Sequence, residues 1–252
     1  MTAFNVRLTF HGDLTFFLRP RSAHLERHLS ERTSVKDIIE GCGVPHTEVD
    51  LILVEGAPAN FSRVIASESD IEVFPVEPEP ITAFPENRLQ VRNVRKFVAD
   101  GHLGKLVRDL RLLGIDVTYD RDANDPRLVE ISSSEERALL TRDRRLLMHS
   151  ALRHGYYLRS QNPLHQTVEV IRRFNLANSF APFGRCLLCN AVLELAAKES
   201  VIQELEPLTR IYYDQFRRCP ECGQVYWSGS HFEKLQKRIE AIQTRIKAEV
   251  VR

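Results

Sequence analysis

Two Cys-x-x-Cys pairs constrain this chain more than any other feature of its sequence. Cys186 and Cys189 form the first pair, Cys219 and Cys222 the second, and 29 residues separate the pairs. This spacing is typical of a tetrahedral site in which four thiolates hold one zinc ion. Because four protein ligands leave no open coordination position, we expect a structural zinc. The segment around the pairs is therefore predicted to fold as a zinc ribbon.

Composition places the whole chain among globular proteins. Of its 252 residues, 43% are hydrophobic and 27% are charged, and the formal net charge is +1. Such a chain should fold, and any nucleic-acid binding must come from local patches of charge. The longest apolar runs fall well short of the roughly 18 residues of a membrane span, and the first residues lack a signal-peptide pattern. We therefore expect a soluble, cytoplasmic protein without a membrane partner. The fifth cysteine, Cys42, is predicted to be a small buried residue.

Residues 1–76 read as a small α+β domain. Phe4–Phe10 alternates in polarity as a strand does, and Leu14–Leu18 is predicted to be the second strand of a hairpin. A helix is expected to open at Ser34, and the strands Leu51–Val54 and Ile71–Phe74 follow. This β-β-α-β-β order resembles the ubiquitin-like β-grasp domains of small sulfur-carrier proteins. The carriers end in a flexible Gly-Gly tail that this segment lacks, so we interpret it as a module that docks a protein partner or contacts RNA.

The rest of the chain divides into a linker and two further parts. Residues 77–95 begin rich in proline and end basic, as expected for a stiff linker. From 96 to about 180 short apolar strands alternate with helices, one of which is predicted to run from Leu146 to His154, and this alternation predicts a parallel α/β sheet. Residues 181–252 hold the cysteine pairs and a final helix with an apolar stripe.

Acidic residues follow the strands of the predicted parallel sheet. Asp100 comes directly after Phe97–Ala99, and Asp143 comes shortly after Ala138–Thr141. Between them, the loop after the second strand carries Asp120, Asp122 and Asp125, the last of which is predicted to cap a helix that begins at Pro126. Open α/β sheets build their sites at the carboxyl ends of strands, and converging carboxylates favour hard cations such as magnesium or manganese. Each aspartate taken alone is equally explained as a helix cap.

Basic side chains lie beside the first and last of these acids. Lys105 follows Asp100 by five residues, and Arg142 and Arg144 flank Asp143. Cations near a carboxylate cluster suit a polyanionic substrate, although ordinary surface ion pairs would explain them as well. We take Lys105, Arg142 and Arg144 as candidate substrate-binding residues.

These segments together resemble a known family. The stretches around Asp100 and Asp143, both cysteine pairs and the segment from Val225 to His231 are similar to the PIN-like ribonuclease domain first named from the C-terminal part of the Mut-seven protein. The resemblance implies a metal-dependent nuclease in which Asp100, Asp125 and Asp143 bind magnesium or manganese. Asp125 best matches the middle acid of the family, with Asp120 and Asp122 as alternatives.

The predicted function is thus cleavage of RNA phosphodiesters, single-stranded RNA being the expected substrate, with the zinc ribbon helping to hold it. Aromatic residues near the cysteine pairs, such as Tyr226 and Trp227, could stack on bases or fill the core of the ribbon. The main alternative is a non-catalytic RNA-binding or adaptor protein whose acidic site is degenerate. A weaker alternative is a metal-dependent hydrolase of small phosphoesters.

Overall fold

The computed structural model describes residues 3–19, 21–76, 84–91 and 93–250, and shows a mixed α/β protein. The chain forms two compact units, each built from two separate segments. The first comprises Met1–Val94 and Asn124–Leu158, and the second comprises Arg95–Ala123 and Arg159–Arg252. Among the helices of the described ranges, none combines the length and apolar character needed to cross a membrane.

The N-terminal part of the first unit is a five-stranded mixed sheet with one helix. Its elements are β1 (Phe4–Phe10), β2 (His24–Leu29), β3 (Thr33–Ser34), α1 (Val35–Gly41), β4 (Val49–Val54), β5 (Ala57–Ala59), β6 (Val64–Ile65) and β7 (Ser69–Pro75). The order of the five-stranded sheet is β2-β1-β7-β4-β5, and β3 and β6 form a separate two-stranded sheet. β1 and β7 run parallel, and the other pairs are antiparallel. The predicted ubiquitin-like β-grasp fold is confirmed.

Local sequence explains why these elements form. Alternate residues of β1, namely Val6, Leu8 and Phe10, are buried, so that one face of the strand joins the core. At the start of α1 the Ser34 hydroxyl accepts a hydrogen bond from the Asp37 N–H at 3.1 Å. This cap satisfies one of the N–H groups that a helix start leaves unpaired.

The predicted second strand at Leu14–Leu18 was wrong. Gly12–Phe17 forms a 3₁₀ helix, and the strand that pairs with β1 is β2, further along the chain. Leu14, Phe17 and Leu18 are all buried. Residues three and four positions apart lie on the same face of a helix, so these side chains can be buried together. In so short an aromatic run, the sequence alone does not distinguish such a helix from a strand.

Part of the predicted linker packs against the β-grasp domain. Residues 77–83 and 92 lie outside the described residues, and Pro85–Asn87 forms one 3₁₀ turn. After that turn the Arg88 guanidinium lies 3.2 Å from Asp50 Oδ2, and the Gln90 N–H donates to Asp50 Oδ1 at 3.1 Å. Asp50 is fully buried. Residues 88–90 are therefore fixed to β4 and do not act as a free spacer.

Short parallel strands alternate with helices in the middle of the chain, as predicted. The elements are β8 (Lys96–Ala99), α2 (Gly104–Leu112), β9 (Asp116–Tyr119), α3 (Asp125–Ser134), β10 (Ala138–Thr141), α4 (Arg144–Leu147), β11 (Gly155–Tyr157) and α5 (Pro163–Arg173). In the second unit β8 pairs with β9 in parallel, and in the first unit β10 pairs with β11 in parallel.

Within the first unit the β-grasp domain contacts the segment of β10 and β11 closely. His46 Nε2 lies 2.9 Å from the Leu152 carbonyl, and the Tyr157 N–H donates to Glu48 Oε1 at 2.6 Å. The rings of Phe17 and Tyr157 meet edge to face, with centroids 5.5 Å apart. Because His46 and Glu48 are buried, these contacts form an integral part of the unit and not a loose docking surface.

The C-terminal part forms a small ribbon and a long helix. Its elements are β12 (Glu194–Ala196), α6 (Lys198–Val201), α7 (Pro207–Tyr212), β13 (Phe216–Arg218), β14 (Val225–Trp227) and α8 (Ser230–Val250). The strands make an antiparallel sheet in the order β12-β13-β14. α8 buries Ile239 and Ile242, and its Arg238 Nε donates to Asp109 Oδ1 of α2 at 3.0 Å. The helix is thereby joined to α2.

Candidate functional site

The four paired cysteines converge on one point in the second unit. The sulfurs of Cys186 and Cys222 are 3.6 Å apart, those of Cys189 and Cys219 are 3.3 Å apart, and all four lie within 4.8 Å of one another. A tetrahedral zinc with Zn–S bonds of about 2.3 Å needs sulfur separations of about 3.8 Å. The cluster therefore has the donor set and the dimensions to hold a metal ion such as zinc.

Each cysteine pair sits on a tight turn with the same backbone geometry. The Asn190 N–H donates to the Cys186 carbonyl at 3.0 Å, and the Gly223 N–H donates to the Cys219 carbonyl at 3.0 Å. Asn190 and Gly223 each follow the second cysteine of a pair, and both have a φ of 77°. Glycine and asparagine are the residues that adopt this left-handed conformation most readily. The residue types at these two positions therefore favour the turns that bring the cysteines together.

Tyr226 of β14 supports the cluster from outside the ligand set. Its hydroxyl lies 3.2 Å from Cys186 Sγ and accepts a hydrogen bond from the Leu187 N–H at 3.0 Å. Burial opposes ionisation of Cys186, but hydrogen bonds from Tyr226 and from the backbone N–H groups of Cys189 and Leu188 outweigh it. They lower the pKa of the Cys186 thiol to about 6. The thiolate that a metal requires is thereby favoured at Cys186 at neutral pH, whereas burial raises the pKa of the Cys189 thiol to about 12.

The first cysteine turn is attached to the edge of β9. The buried guanidinium of Arg111 donates through Nε and Nη2 to the Val117 carbonyl, at 3.1 and 2.9 Å, and through Nη1 to the Leu188 carbonyl at 2.7 Å. On the same strand the Val117 N–H donates to Asn190 Oδ1 at 3.0 Å. Sequence reasoning missed Arg111 and Asn190, because a helix arginine and a turn asparagine carry no signal of such tertiary bonds. The turn that carries Cys186 and Cys189 is thus hydrogen-bonded to α2 and to β9 of the parallel sheet within this unit.

Asp100 lies at the carboxyl end of β8, as predicted. It is half-buried and precedes a 3₁₀ turn over Gly101–Leu103, and its side chain makes no capping bond to that turn. The turn stays in place through backbone bonds, including one from the Leu103 N–H to the Asp100 carbonyl at 2.9 Å. Capping, the alternative explanation for an aspartate at this position, therefore does not account for its side chain.

The acidic loop after β9 packs directly against the turn that follows Asp100. Tyr119, the last residue of β9, pairs with Ala99, the last residue of β8. Asp120 and Asp100 are the next residues on the two strands and therefore lie side by side. The Tyr119 hydroxyl donates to the Gly101 carbonyl at 2.7 Å. A Cβ at Gly101 would lie 2.3 Å from the Arg121 carbonyl oxygen, so only glycine allows this approach. The second unit thus brings Asp100 and Asp120 to one edge.

Asp125 and Asp143 both belong to the first unit. Asp125 is exposed at the first position of α3, and the residue that caps this helix is Asn124, whose side chain accepts from the Arg127 N–H at 3.1 Å. The prediction that Asp125 is the cap was wrong by one residue. α3 packs on β10, and Asp143 is the second residue after that strand.

Asp143 also caps the single turn of α4. Its Oδ1 accepts from the Arg145 N–H at 2.7 Å and from the Leu146 N–H at 3.3 Å. The predicted helix from Leu146 to His154 is reduced to this turn, Arg144–Leu147. Both capping bonds go to Oδ1, so the cap makes no use of Oδ2.

Among the described residues, the only group of three or more acidic, histidine or cysteine side chains within ligand distance is the cysteine cluster.

The predicted substrate-binding cations have different surroundings. Lys105 is exposed on the first turn of α2, four residues after Gly101. Arg142 is exposed between β10 and Asp143. Arg144 is half-buried, and its Nη1 donates to the Phe17 carbonyl at 3.0 Å, which ties it to the β-grasp domain.

A large groove of about 710 Å³ runs along the zinc ribbon in the second unit. Aromatic rings including Tyr212, Tyr226 and Trp227 line it, and its cations are Arg108, Arg185, Arg217 and Lys234. None of the described residues that line the groove carries a carboxylate. Of these cations Arg185 is paired with an acid outside the groove, its Nη2 lying 3.3 Å from Asp116 Oδ2. Aromatic faces beside positive charge suit a single-stranded nucleic acid.

Two family models match the two main parts of this architecture. The family model described as "Mut7-C RNAse domain" matches residues 95–239, and the model described as "Mut7-C ubiquitin" matches residues 3–80. A crystal structure of SAMP1 from Haloferax volcanii aligns with 15% sequence identity and a TM-score of 0.24, covering 31% of this chain and 98% of that protein. No curated protein matches the chain.

Proposed function

Because the chain belongs to the Mut7-C RNAse domain family, whose model matches more than half of its residues, we propose that it is a metal-dependent ribonuclease acting on single-stranded RNA. The observation that carries the proposal is the position of its acids. Asp100 directly follows β8 and Asp143 is the second residue after β10, each where parallel strands finish, and the Asp100 side chain makes no capping bond to the turn that follows it.

Asp100, Asp125 and Asp143 would hold magnesium or manganese, since carboxylate oxygens are the donors that these hard cations prefer. When bound, such an ion activates water as a nucleophile and stabilises charge on the phosphate. In this proposal the chain places two of the carboxylates just after strand ends and the third on the first turn of α3, and it brings the substrate to them. Lys105 and Arg142 are exposed, and we assign them to the phosphates flanking the cleaved bond.

The middle acid of the site remains a choice among three residues. Asp125 is the proposed ligand by its match to the family. Asp120 follows β9 directly and leaves the sheet beside Asp100, and its Oδ1 accepts from the Asp122 N–H at 3.0 Å. Separate Asn variants of Asp120, Asp122 and Asp125 distinguish these residues, since the largest loss of manganese-dependent cleavage identifies the ligand.

The structural metal has a different role in this proposal. We propose that the four cysteines hold zinc, and that the aromatic groove beside them contributes to holding the RNA. The groove lies within the same unit as Asp100, and its cations face no carboxylate of the described lining residues. A structural ion that fixes a binding surface would therefore act on substrate affinity and not on the chemical step.

The test is cleavage of a labelled single-stranded RNA with manganese present. We expect Asp100→Asn and Asp143→Asn each to reduce kcat at least about 100-fold, which corresponds to about 2.7 kcal/mol of lost transition-state stabilisation. A matched control is Asp214→Asn, which removes one carboxylate at an exposed pair with Lys198. It should cleave within twofold of the wild type. Unchanged cleavage by both site variants, with zinc content intact, would refute the assignment.

A non-catalytic RNA-binding adaptor is the second candidate, and one observation favours it. Asp143 Oδ1 already accepts two backbone hydrogen bonds, so a purely structural role accounts for part of this side chain. An adaptor would bind single-stranded RNA in a salt-sensitive manner without cleaving it. It would also fail to bind manganese in a calorimetric titration, whereas the nuclease would bind it.

A further inference from the structure

A small basic cleft in the first unit lies where the β-grasp domain meets the segment that follows β10. We call it the Arg19 cleft and define it by Arg19, Arg21, Arg144, Phe16, Phe17 and Tyr157. Its volume is about 390 Å³. Arg19 and Arg21 come from the segment between the first 3₁₀ helix and β2, whereas Arg144 comes from α4. The cleft is therefore built jointly by both segments of the unit.

All the charged side chains that line the Arg19 cleft are positive. Three guanidinium groups line it, and no carboxylate belongs to the described residues that do so. Arg19 and Arg21 are exposed, so their positive ends are available to solvent. Arg19 and Arg144 also line an adjoining cavity that includes Glu26 and Glu40, so the purely positive lining belongs to the Arg19 cleft itself. Arginines that line a cleft attract anions, and the planar guanidinium matches phosphate oxygens well.

Aromatic rings form the other surface of the cleft. The centroids of Phe16 and Tyr157 are 5.6 Å apart, and both rings are half-buried and thus partly accessible. The Arg21 guanidinium carbon lies 5.6 Å from the centre of the Phe16 ring, a cation–π distance. Such rings beside arginines are the combination with which proteins hold single-stranded nucleic acids, through base stacking and phosphate contacts.

Arg144 connects the cleft with the proposed catalytic segment. It is the residue after Asp143, and its Nη1 donates to the Phe17 carbonyl at 3.0 Å. This bond fixes a guanidinium of the nuclease segment against the 3₁₀ helix of the β-grasp domain. A chain bound in the cleft would therefore lie beside the residues that lead out of β10.

We propose that the Arg19 cleft binds one nucleotide of a single-stranded RNA, with Arg19 and Arg21 on its phosphate and Phe16 or Tyr157 stacked on its base. The β-grasp domain then forms part of the substrate-binding surface. The volume favours this occupant, because about 300–1,000 Å³ is the usual size of a small-ligand pocket and a folded protein partner would need a broader face. This inference rests on the proposed function for the identity of the ligand as RNA.

The test is the affinity for a fluorescently labelled single-stranded RNA, measured by anisotropy without magnesium or manganese so that no cleavage contributes. We expect the double variant Arg19→Ala/Arg21→Ala to bind at least tenfold more weakly. The dependence of log affinity on log salt concentration should become less steep by about 0.7, since both arginines contact one phosphate and each neutralised phosphate of a single strand contributes about 0.7. Both side chains are exposed, so the variant should fold normally.

A matched control removes the same charge elsewhere on the β-grasp domain. Arg32 and Arg63 are exposed, and neither lines the Arg19 cleft, so Arg32→Ala/Arg63→Ala should bind RNA within twofold of the wild type. If both double variants weakened RNA binding equally, the position of the arginines would not matter. That result would overturn the proposal. So would an acidic peptide that competes with RNA only when Arg19 and Arg21 are present, because it would identify a protein ligand.

Cleavage assays separate this proposal from the proposed function. With manganese, the Arg19→Ala/Arg21→Ala variant should show a raised KM and an unchanged kcat, because the cleft binds RNA away from the reacting bond. If the wild type binds RNA through the cleft but never cleaves it, the nuclease assignment fails and the cleft stands. If the wild type cleaves RNA and the cleft variant binds it normally, only the cleft proposal fails.

Discussion

The cysteine cluster and the acidic strand ends are both candidate metal sites, but they differ in how complete they are. Four sulfurs already lie within 4.8 Å of one another, and two of the cysteines, Cys186 and Cys219, are buried. The carboxylates are more open, since Asp120, Asp125 and Asp143 are exposed and Asp100 is half-buried. The first arrangement suits an ion that stays in place, and the second suits an ion that must reach water and substrate.

The difference follows from what surrounds each set of ligands. The thiol of Cys186 is held by Tyr226 and by backbone N–H groups, and the turn beside it is attached to β9 through Arg111 and Asn190. Asp143, in contrast, is held by local bonds to the next turn of its own chain. A structural site is supported by tertiary contacts on all sides, whereas a site that exchanges ligands keeps part of its surface free for them.

The largest predicted effect is loss of the structural metal. Cys219→Ser removes a buried thiolate from the cluster, and we expect zinc to fall from close to one ion per chain to nearly none. Structural zinc contributes about 10–16 kcal/mol to the folding of small zinc domains, so the ribbon should unfold. Metal analysis of the purified protein together with thermal unfolding would measure both effects.

Cys42→Ser is the matched control for that change. Cys42 follows α1 in the first unit and belongs to no metal cluster among the residues that the structure describes. Burial raises the pKa of its thiol, as expected for a residue that acts in packing. The zinc content of the Cys42→Ser variant should equal that of the wild type. Zinc retained by the Cys219 variant would show that the cluster is not the binding site.

The next effect tests whether support from outside the ligands matters. Tyr226→Phe removes the hydroxyl that lies 3.2 Å from Cys186 Sγ, and we expect zinc affinity to fall about 10- to 100-fold, the usual loss for such a partner. The Tyr226 hydrogen bond lowers the pKa of Cys186, so its loss raises that pKa. Protons then compete with zinc at higher pH, and the midpoint of zinc release on acidification should move upward. Tyr212→Phe, at an exposed hydroxyl, should leave it unchanged.

The same contrast explains which features were predictable from sequence. Cysteines three residues apart and the residues that follow them, Asn190 and Gly223, specify each turn locally, so spacing alone identified the cluster. Which acids converge depends instead on strand pairing, and the placement of Asp120 beside Asp100 required the observed register of β8 and β9. Arg111 shows the limit most clearly, because on sequence it is one of two arginines on an amphipathic helix, yet it is buried and donates to three carbonyls.

Short aromatic and polar runs were the other source of error. Leu14–Leu18 is apolar enough for a strand or for one helical turn, and burial of Leu14, Phe17 and Leu18 together selects the helix. Asn124 and Asp125 are both good caps, and only the bond from the Arg127 N–H to Asn124 decides between them. In each case tertiary packing or one hydrogen bond chose between local options of similar energy.

The smallest predicted effect separates the structural part of Asp143 from its proposed catalytic part. Asp143→Ala removes the acceptor of two backbone N–H groups, and we expect a loss of about 1 kcal/mol in the free energy of unfolding, measured with urea. Asp143→Asn keeps an equivalent cap and should stay within a few tenths of a kcal/mol of the wild type. If Asn preserves stability and abolishes cleavage, the negative charge itself serves the reaction. If Asn preserves both, Asp143 is a cap alone, and the acidic strand ends are then structural like the cysteine cluster.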